Sequence, residues 1–360
     1  MRSFFTHYSL RIRGVKMQLN GQDFIIIGEN VHTTRVVRRS GKLVTNNPDG
    51  IESVRYLGMN KKRRYLVIPE SIKKSQEYEE GRVKHVIIAV QAAMSGEEPH
   101  ASEGVEYIRK IVQRQVDSST DFLDVNVDEI SWRLEEQKEA MRWLVQALQQ
   151  MTDIPLSIDS SNSEIIAAGL EVYDSSVGRA LLNSASLERL DALDLATQHN
   201  TKVMVTAASE SGMPQTPEER VTNASRMVDA AHDRGIATED IFIDPLFFPI
   251  GVDTENGNHA FEAIRQLREK YGPAIHISGG FSNVSFQMPS RRLINDVFMI
   301  LAVDAGADSG IIDPVTNNPQ KALAVDRRSK AYQLTEDMLL GKDRFCRTFL
   351  RAYRKGELEG

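Results

Sequence analysis

Carboxylates and side-chain amides recur in this chain at one kind of place, the last residues of short apolar runs. Gly28-Glu29-Asn30 ends the first run, and Asp124 and Asn126 lie in the second. Asp159, Asn183 with Ser184, Asp244-Pro245, Ser282-Asn283 and Asp313-Pro314 close later ones. Singly, each has a plain structural explanation, since Asp, Asn, Ser and Thr cap helices that begin just after strands. Thr33, Ser160 and Ser184 suit that task too, and Asp313, set before a proline, reads as a turn residue. Taken together they describe a ring of hydrogen-bond acceptors and amides. The lone Cys346 and the few histidines argue against a zinc or transition-metal centre. The carboxylates also lack the close spacing of a magnesium cage. Neither phosphate-cradling glycine motif is present, and neither is G-x-S-x-G, so nucleotide and serine-hydrolase chemistry are unsupported. Acceptors in an apolar mouth suit a planar ligand with several N–H donors along one edge, as a reduced pterin has. A buried donor left unpaired costs about 1–3 kcal/mol, so such a site selects strongly for that edge.

The elements that carry these residues alternate regularly. Phe122 to Val127, Leu156 to Asp159, Ala180 to Asn183, Lys202 to Thr206, Ile241 to Asp244, Ala274 to Ser278 and Ser309 to Asp313 read as strands, and Phe24 to Gly28 makes eight. Helical periods lie between them. Trp132 to Gln150 places Leu134, Met141, Leu144, Val145 and Leu148 on one stripe. Pro217 to Arg234 opens on a capping box of Thr216 and Glu219 and stops at Gly235; Arg291 to Ala305 ends at Gly306, and Pro319 can open a last helix. Eight βα units predict an α/β fold, a (β/α)8 TIM barrel whose site lies at the C-terminal ends of its strands.

One stretch breaks the rhythm. About 31–97 form a long inserted segment after strand 1, with a hairpin signal at Asn46-Asn47-Pro48-Asp49-Gly50 and a further possible strand at Tyr65 to Ile68. It is basic, and its exit from a strand's C-terminal end places it over the mouth, as a cap or a docking surface. The expected organisation is an N-terminal extension (1–22), a barrel (23–340) and a basic C-terminal tail (341–360). The extension's cations faintly suggest targeting, but a plain extension with Met17 as a possible start fits better. A net charge of −6 argues against nucleic acid, no apolar run is long enough for a membrane span, and cysteine usage suits the cytoplasm.

At these residues the chain resembles a known family. GEN (28–30), FLDVNVD (122–128), LSIDSSN (156–162), ALLNSAS (180–186), IFIDPL (241–246) and GFSNVSFQMPSRRLIND (280–296) follow in order at matching spacing. They resemble methyltetrahydrofolate:corrinoid-protein methyltransferases and the folate domain of cobalamin-dependent methionine synthase, within the pterin-binding superfamily that includes dihydropteroate synthase. The resemblance implies that Asp159, Asn183 and Asp244 hold the pterin's donor edge and that Asn126 lines the pocket. It places Asn283 close to N5 and Arg291 on the ligand's polar side; Asp124, Ser282 and Glu29 complete the expected pterin-binding set. Asn283 and Asp159 are the expected catalytic residues, with a water on Asp159 or Asp124 as proton source. The implied substrate is tetrahydrofolate or its 5-methyl form, and the methyl acceptor or donor is a cobalamin-type corrinoid on a partner protein. A homodimer is expected.

The chain departs from the pattern at Phe286, at Asp128 in place of a glycine, and in the insertion. Those departures bear on the methyl donor or acceptor rather than on pterin binding. His276 reads as structural, and His32, just past Glu29-Asn30, as a candidate for acid–base work. Another pterin enzyme of the same fold and a non-catalytic folate-binding protein stay open as alternatives. The S-T-R-P-G loop of dihydropteroate synthase is missing.

Overall fold

Eight short strands lie parallel, each hydrogen-bonded to its neighbours in chain order. They are β1 (Ile25–His32), β2 (Phe122–Asn126), β3 (Leu156–Asp159), β4 (Leu181–Ala185), β5 (Lys202–Thr206), β6 (Ile241–Asp244), β7 (His276–Ile277) and β8 (Ser309–Ile312). β8 pairs with β1, Gly28 opposite Ile312. It also bridges to Gly280 just past β7, where the Ile311 amide donates to the Gly279 carbonyl at 2.9 Å. This closes the sheet into the (β/α)8 barrel that the alternation predicts. The computed structural model describes residues 18, 19 and 22–358. Of the 1–22 segment, most lies outside these residues, though Gln18–Leu19 pairs antiparallel with Gln22–Asp23.

Strand alternation sets which side chains face inward. Ile27, Phe122, Leu181, Met204, Phe242 and Ile311 form one buried apolar cluster. Two residues further along their strands, Asp124, Asn183, Thr206 and Asp244 take the same face. Polar strand ends therefore sit one layer above an apolar plug.

The chain packs as two compact units. Of the described residues, one gathers Glu29–Asp117 with Leu123–Ala180, and the other gathers those up to Gly28, Ser118–Phe122 and those from Leu181 onward. The first carries the insertion, whose hairpin pairs Val44–Asn46 with Glu52–Leu57 and adds Arg63–Val67 as a third strand. Asn47 holds the turn, its Oδ1 accepting the amides of Asp49 and Ile51 at 3.0 and 2.9 Å. Helix His85–Ser95 was not foreseen in this stretch. Val86 to Val90 are buried all round, so no amphipathic stripe marks the helix in the sequence. The small sheet packs on α1 (His100–Val116), with the Tyr56 ring edge-on to Tyr107 at 4.9 Å and Arg64 on Glu106 at 3.4 Å. Lys84 and Gln91 reach the loop after β2, at Glu129 (3.2 Å) and the Ile130 carbonyl (3.3 Å). Further helices of this unit are α2 (Leu134–Gln149) and α3 (Ser163–Glu171).

The second unit holds α4 (Asp191–Gln198), α5 (Pro217–His232), α6 (Asn256–Tyr271) and α7 (Arg291–Ala305). The Thr216 hydroxyl caps α5 by accepting the Glu219 amide at 3.2 Å. The Glu219 carboxylate takes the Gln215 amide at 2.6 Å, so the box closes one residue earlier than the sequence rule places it. β7 is shorter than its apolar run, because Gly272–Ala274 turns as a 3-10 helix before it and Gly279 takes a φ of +140° after it. The 341–360 stretch, expected as a basic tail, forms a helix at Arg347–Arg354 with Phe349 fully buried.

Candidate active site

In the first unit the site is built on neighbouring strand ends. β2 and β3 run in register, with Asp124 beside Ser157 and Asn126 beside Asp159. The Asn126 side-chain oxygen accepts the Asp128 amide at 3.0 Å, which leaves its NH2 to donate to Asp159 Oδ2 at 2.9 Å. Asp128, where the resemblance calls for glycine, accepts from the Ser160 hydroxyl (2.6 Å) and from the Ser161 amide and hydroxyl (both 2.9 Å). It therefore staples the loop after β2 to the loop after β3. Thr33, expected as a helix cap, ties β1 to the same loop: its amide donates to the Asn126 carbonyl at 3.0 Å, and its hydroxyl accepts the Glu129 amide at 3.2 Å.

His32 completes this group. Its Nε2 lies 2.6 Å from Asp124 Oδ2 and 3.8 Å from Asp159 Oδ2. Burial alone would lower the imidazole's pKa, but the charge and hydrogen bond of Asp124, with smaller help from Asp159 and Glu29, raise it to about 9. Burial and then the Asp124 charge push Asp159 above the ordinary carboxylate range, against the opposing pull of His32 and the Asn126 bond. Glu29 was expected to face the ligand, and its carboxylate sits 3.2 Å from the Arg35 guanidinium. The donor atoms of His32, Asp124 and Asp159 lie within 4.8 Å of one another, a grouping that the spacing of these residues in the sequence does not announce.

In the second unit, Asn183 lies buried where β4 shifts register, and Asp244 ends β6. Asp244 Oδ1 accepts the Leu246 amide at 2.7 Å. Burial raises its carboxyl to about 6, while the Leu246 amide and Arg220 pull it the other way. Arg220, fully buried, donates to the carbonyls of Pro245 (2.9 Å) and Leu246 (2.6 Å) and stacks on Phe248 at 4.6 Å. It holds a turn in which Leu246 has a φ of +66°, a conformation leucine rarely takes. Gly279 backs onto Asp244: a Cβ there would meet Asp244 Oδ1 at 2.7 Å and the Phe247 ring at 2.6 Å. Ser282 and Asn283 sit on the 3-10 turn Phe281–Ser285. Arg291, expected on the ligand's polar side, donates to the Ser282 carbonyl (2.8 Å) and the Ser285 hydroxyl (3.0 Å) and so braces that turn.

Two expected structural residues behave as such. Asp313 Oδ1 accepts the amides of Val315 (3.1 Å) and Thr316 (3.2 Å). His276 pairs with Asp308 at 2.8 Å and stacks on Phe242 at 4.4 Å. Nothing in the sequence marks Arg220 or Asp128 for these parts. An arginine in the first turn of an amphipathic helix carries no sign that it will be buried, and Asp128 stands out only as a missing glycine.

Polar strand ends are where parallel-barrel enzymes carry their sites. Residues 98–313 match the family described as pterin binding enzyme, and the chain belongs to that family. A methylcorrinoid:tetrahydrofolate methyltransferase of Eubacterium limosum is 30% identical over 287 residues, 76% of this chain and 98% of that protein. A methionine synthase of Mycobacterium leprae is 30% identical over 212 residues, 55% of this chain but 17% of the longer protein. Among solved structures, a dihydropteroate synthase of Xanthomonas albilineans superposes with a TM-score of 0.51, covering 63% of this chain and 86% of that one. At 20% identity that likeness shows the fold alone.

Proposed function

We propose that this chain is a methyltransferase that moves a methyl group between N5 of tetrahydrofolate and a corrinoid carried by a partner protein. The observation that carries the reading is the 30% identity to the Eubacterium limosum methyltransferase across 98% of that protein's length. The donor set agrees with it: carboxylates and amides at strand ends suit the N–H edge of a pterin, and the bare backbone at Gly279 makes room for the Asp244 carboxylate. Asp159 and Asn126 in the first unit, and Asn183 and Asp244 in the second, would bind the pterin. Asp244, held at about 6, is mostly ionised at neutral pH and can accept two N–H donors.

The corrinoid, when docked, supplies the methyl group or accepts it. As the methyl–nitrogen bond breaks, its electron pair stays on N5. The Asn283 amide donates to that lone pair more strongly in the transition state than in the ground state, and only such a difference accelerates the step. Asn283 has no proton to give, so the proton N5 needs would come from a water held by Asp159 or Asp124. Trp132, 86% exposed on the loop after β2 with Arg133 over its ring, is the kind of aromatic a protein partner covers.

The reading is tested with purified protein, tetrahydrofolate and methylcobalamin in place of the partner's corrinoid. Methyl transfer should be measurable by the change in cobalamin absorbance, and Asn283→Ala should slow a single turnover more than it weakens folate binding. Folate binding without any transfer, with free or protein-bound corrinoid, would leave a binding protein instead. We extend the reading to a cytoplasmic homodimer, in keeping with a lone thiol, Cys346, that is kept buried. Light scattering at twice the 40.4 kDa chain mass would bear out the dimer.

A further inference from the structure

Two carboxylates in one buried pocket repel each other's charge, and a proton goes onto one of them unless a cation stands between. Asp124, 1% exposed, and Asp159 occupy neighbouring strands on the same face, and both point an oxygen at His32 Nε2. Around the imidazole the charges are almost all of one sign. Asp124 and Asp159 touch or approach it, and Glu29 adds a weaker negative field from the same strand. Asp128, a further negative charge near Asp159, is engaged with Ser160 and Ser161. Arg35, the nearby cation, is paired with Glu29.

We propose that His32 is a positioning residue for pterin recognition: its imidazolium is the counter-ion that keeps Asp159 ionised and able to accept the pterin's N–H donors. The inference rests on the pterin reading above. Asp159 Oδ2 already takes the Asn126 amide, so a proton on this carboxyl would remove acceptor capacity and turn a donor toward the ligand's donor edge. With the imidazolium in place, the Asp159 carboxylate is favoured; without it, only the Asn126 bond opposes burial and Asp124. The sequence places His32 there by running β1 on past Gly28, where its pairing with β8 ends.

The test is the affinity for 5-methyltetrahydrofolate across the range from acid to alkaline pH, by calorimetry, for the parent and His32→Gln. Glutamine keeps a hydrogen bond to Asp124 and removes the charge. Loss of the counter-ion raises the Asp159 pKa further, so the acid limb of binding should move to higher pH. The variant should bind more weakly at neutral pH, by up to about tenfold for each unit of that movement, and recover toward parental affinity in alkali. Equal weakening at every pH would mean a merely structural role and would overturn the inference, as would an unmoved midpoint. Ring NMR of the ligand-free parent gives an independent check: the His32 imidazole should stay protonated through neutral pH and titrate earlier in Asp124→Asn. A neutral ring at pH 7, or uptake of zinc by the parent but not by His32→Gln, also overturns it. If the parent binds no folate at any pH, the pterin reading itself has failed and the inference goes with it; a parent that binds with an unshifted variant sinks the inference alone.

Discussion

Asp244 shows what a binding residue costs the fold that carries it. Burial raises its carboxyl from 3.8 to about 6, which means the native state holds the proton more tightly than the unfolded chain does. The stability linked to that proton is complete below pH 3.8 and disappears as the pH climbs through about 6. Asp244→Asn removes the charge and keeps an acceptor oxygen for the Leu246 amide. At pH 7.5 the variant should be more stable than the parent by up to about 2–3 kcal/mol, and the two should converge toward pH 4. Thermal melts across that range check the prediction, and a pH-independent gap would refute it. The same substitution should abolish folate binding, since the ionised carboxylate is what accepts two N–H donors.

At the scale of elements, much of the barrel is legible because its strands are short apolar runs cut off by a polar residue. β3, β5 and β6 have the bounds their runs announce, and α7 has the bounds set by Arg291 and Gly306. What the runs do not carry is the path of the chain after each strand. Strict alternation from Ile25 and Ile27 turns Glu29 inward and His32 outward, yet it is His32 that meets Asp124. Helix His85–Ser95 was hidden for another reason, since five buried apolar residues in succession, Val86 to Val90, leave no period to read. The turn after β6 hid a third feature, the guanidinium that supports it. Arg220→Lys keeps the charge but its stem ends one bond short of Nη1, the atom that donates to both the Pro245 and Leu246 carbonyls, and it loses the planar face on Phe248. It should lower stability by about 1–3 kcal/mol and weaken folate binding through Asp244. A lysine variant with parental melting and affinity would show that the turn holds its shape alone.

For the molecule as a whole, the insertion concentrates positive charge on a net-acidic chain. Much of it is neutralised locally: Arg35 on Glu29, Arg39 on Glu52, Arg64 on Glu106, Lys73 on Glu70 and Lys84 on Glu77 and Glu129. Arg38, Lys61, Lys62 and Arg63 remain exposed, beside strands that also expose Leu43 and Leu57. Lys42 and Lys74 are exposed as well, and a docking role for an acidic partner is tested on the first four. Their reversal to glutamate should slow methyl transfer from a protein-bound corrinoid at low salt, with the difference fading as ionic strength rises. Transfer from free methylcobalamin should be spared. Equal rates for parent and variant with the protein-bound corrinoid at low salt would leave the insertion a cap and nothing more.

Asp128 has a consequence for how ligand arrives. By accepting the backbone amide of Ser161 and both serine hydroxyls, it fixes the loop after β3 to the one after β2, and through its own amide it fixes Asn126 against Asp159. The arm of the site that carries Asn126 and Asp159 is thus a finished mould before anything enters. Its Ser161 amide should exchange with deuterated solvent slowly in the ligand-free protein, and scarcely more slowly once folate is added. A ligand meeting that arm finds its acceptors already aimed, so little ordering entropy is left to lose there on binding.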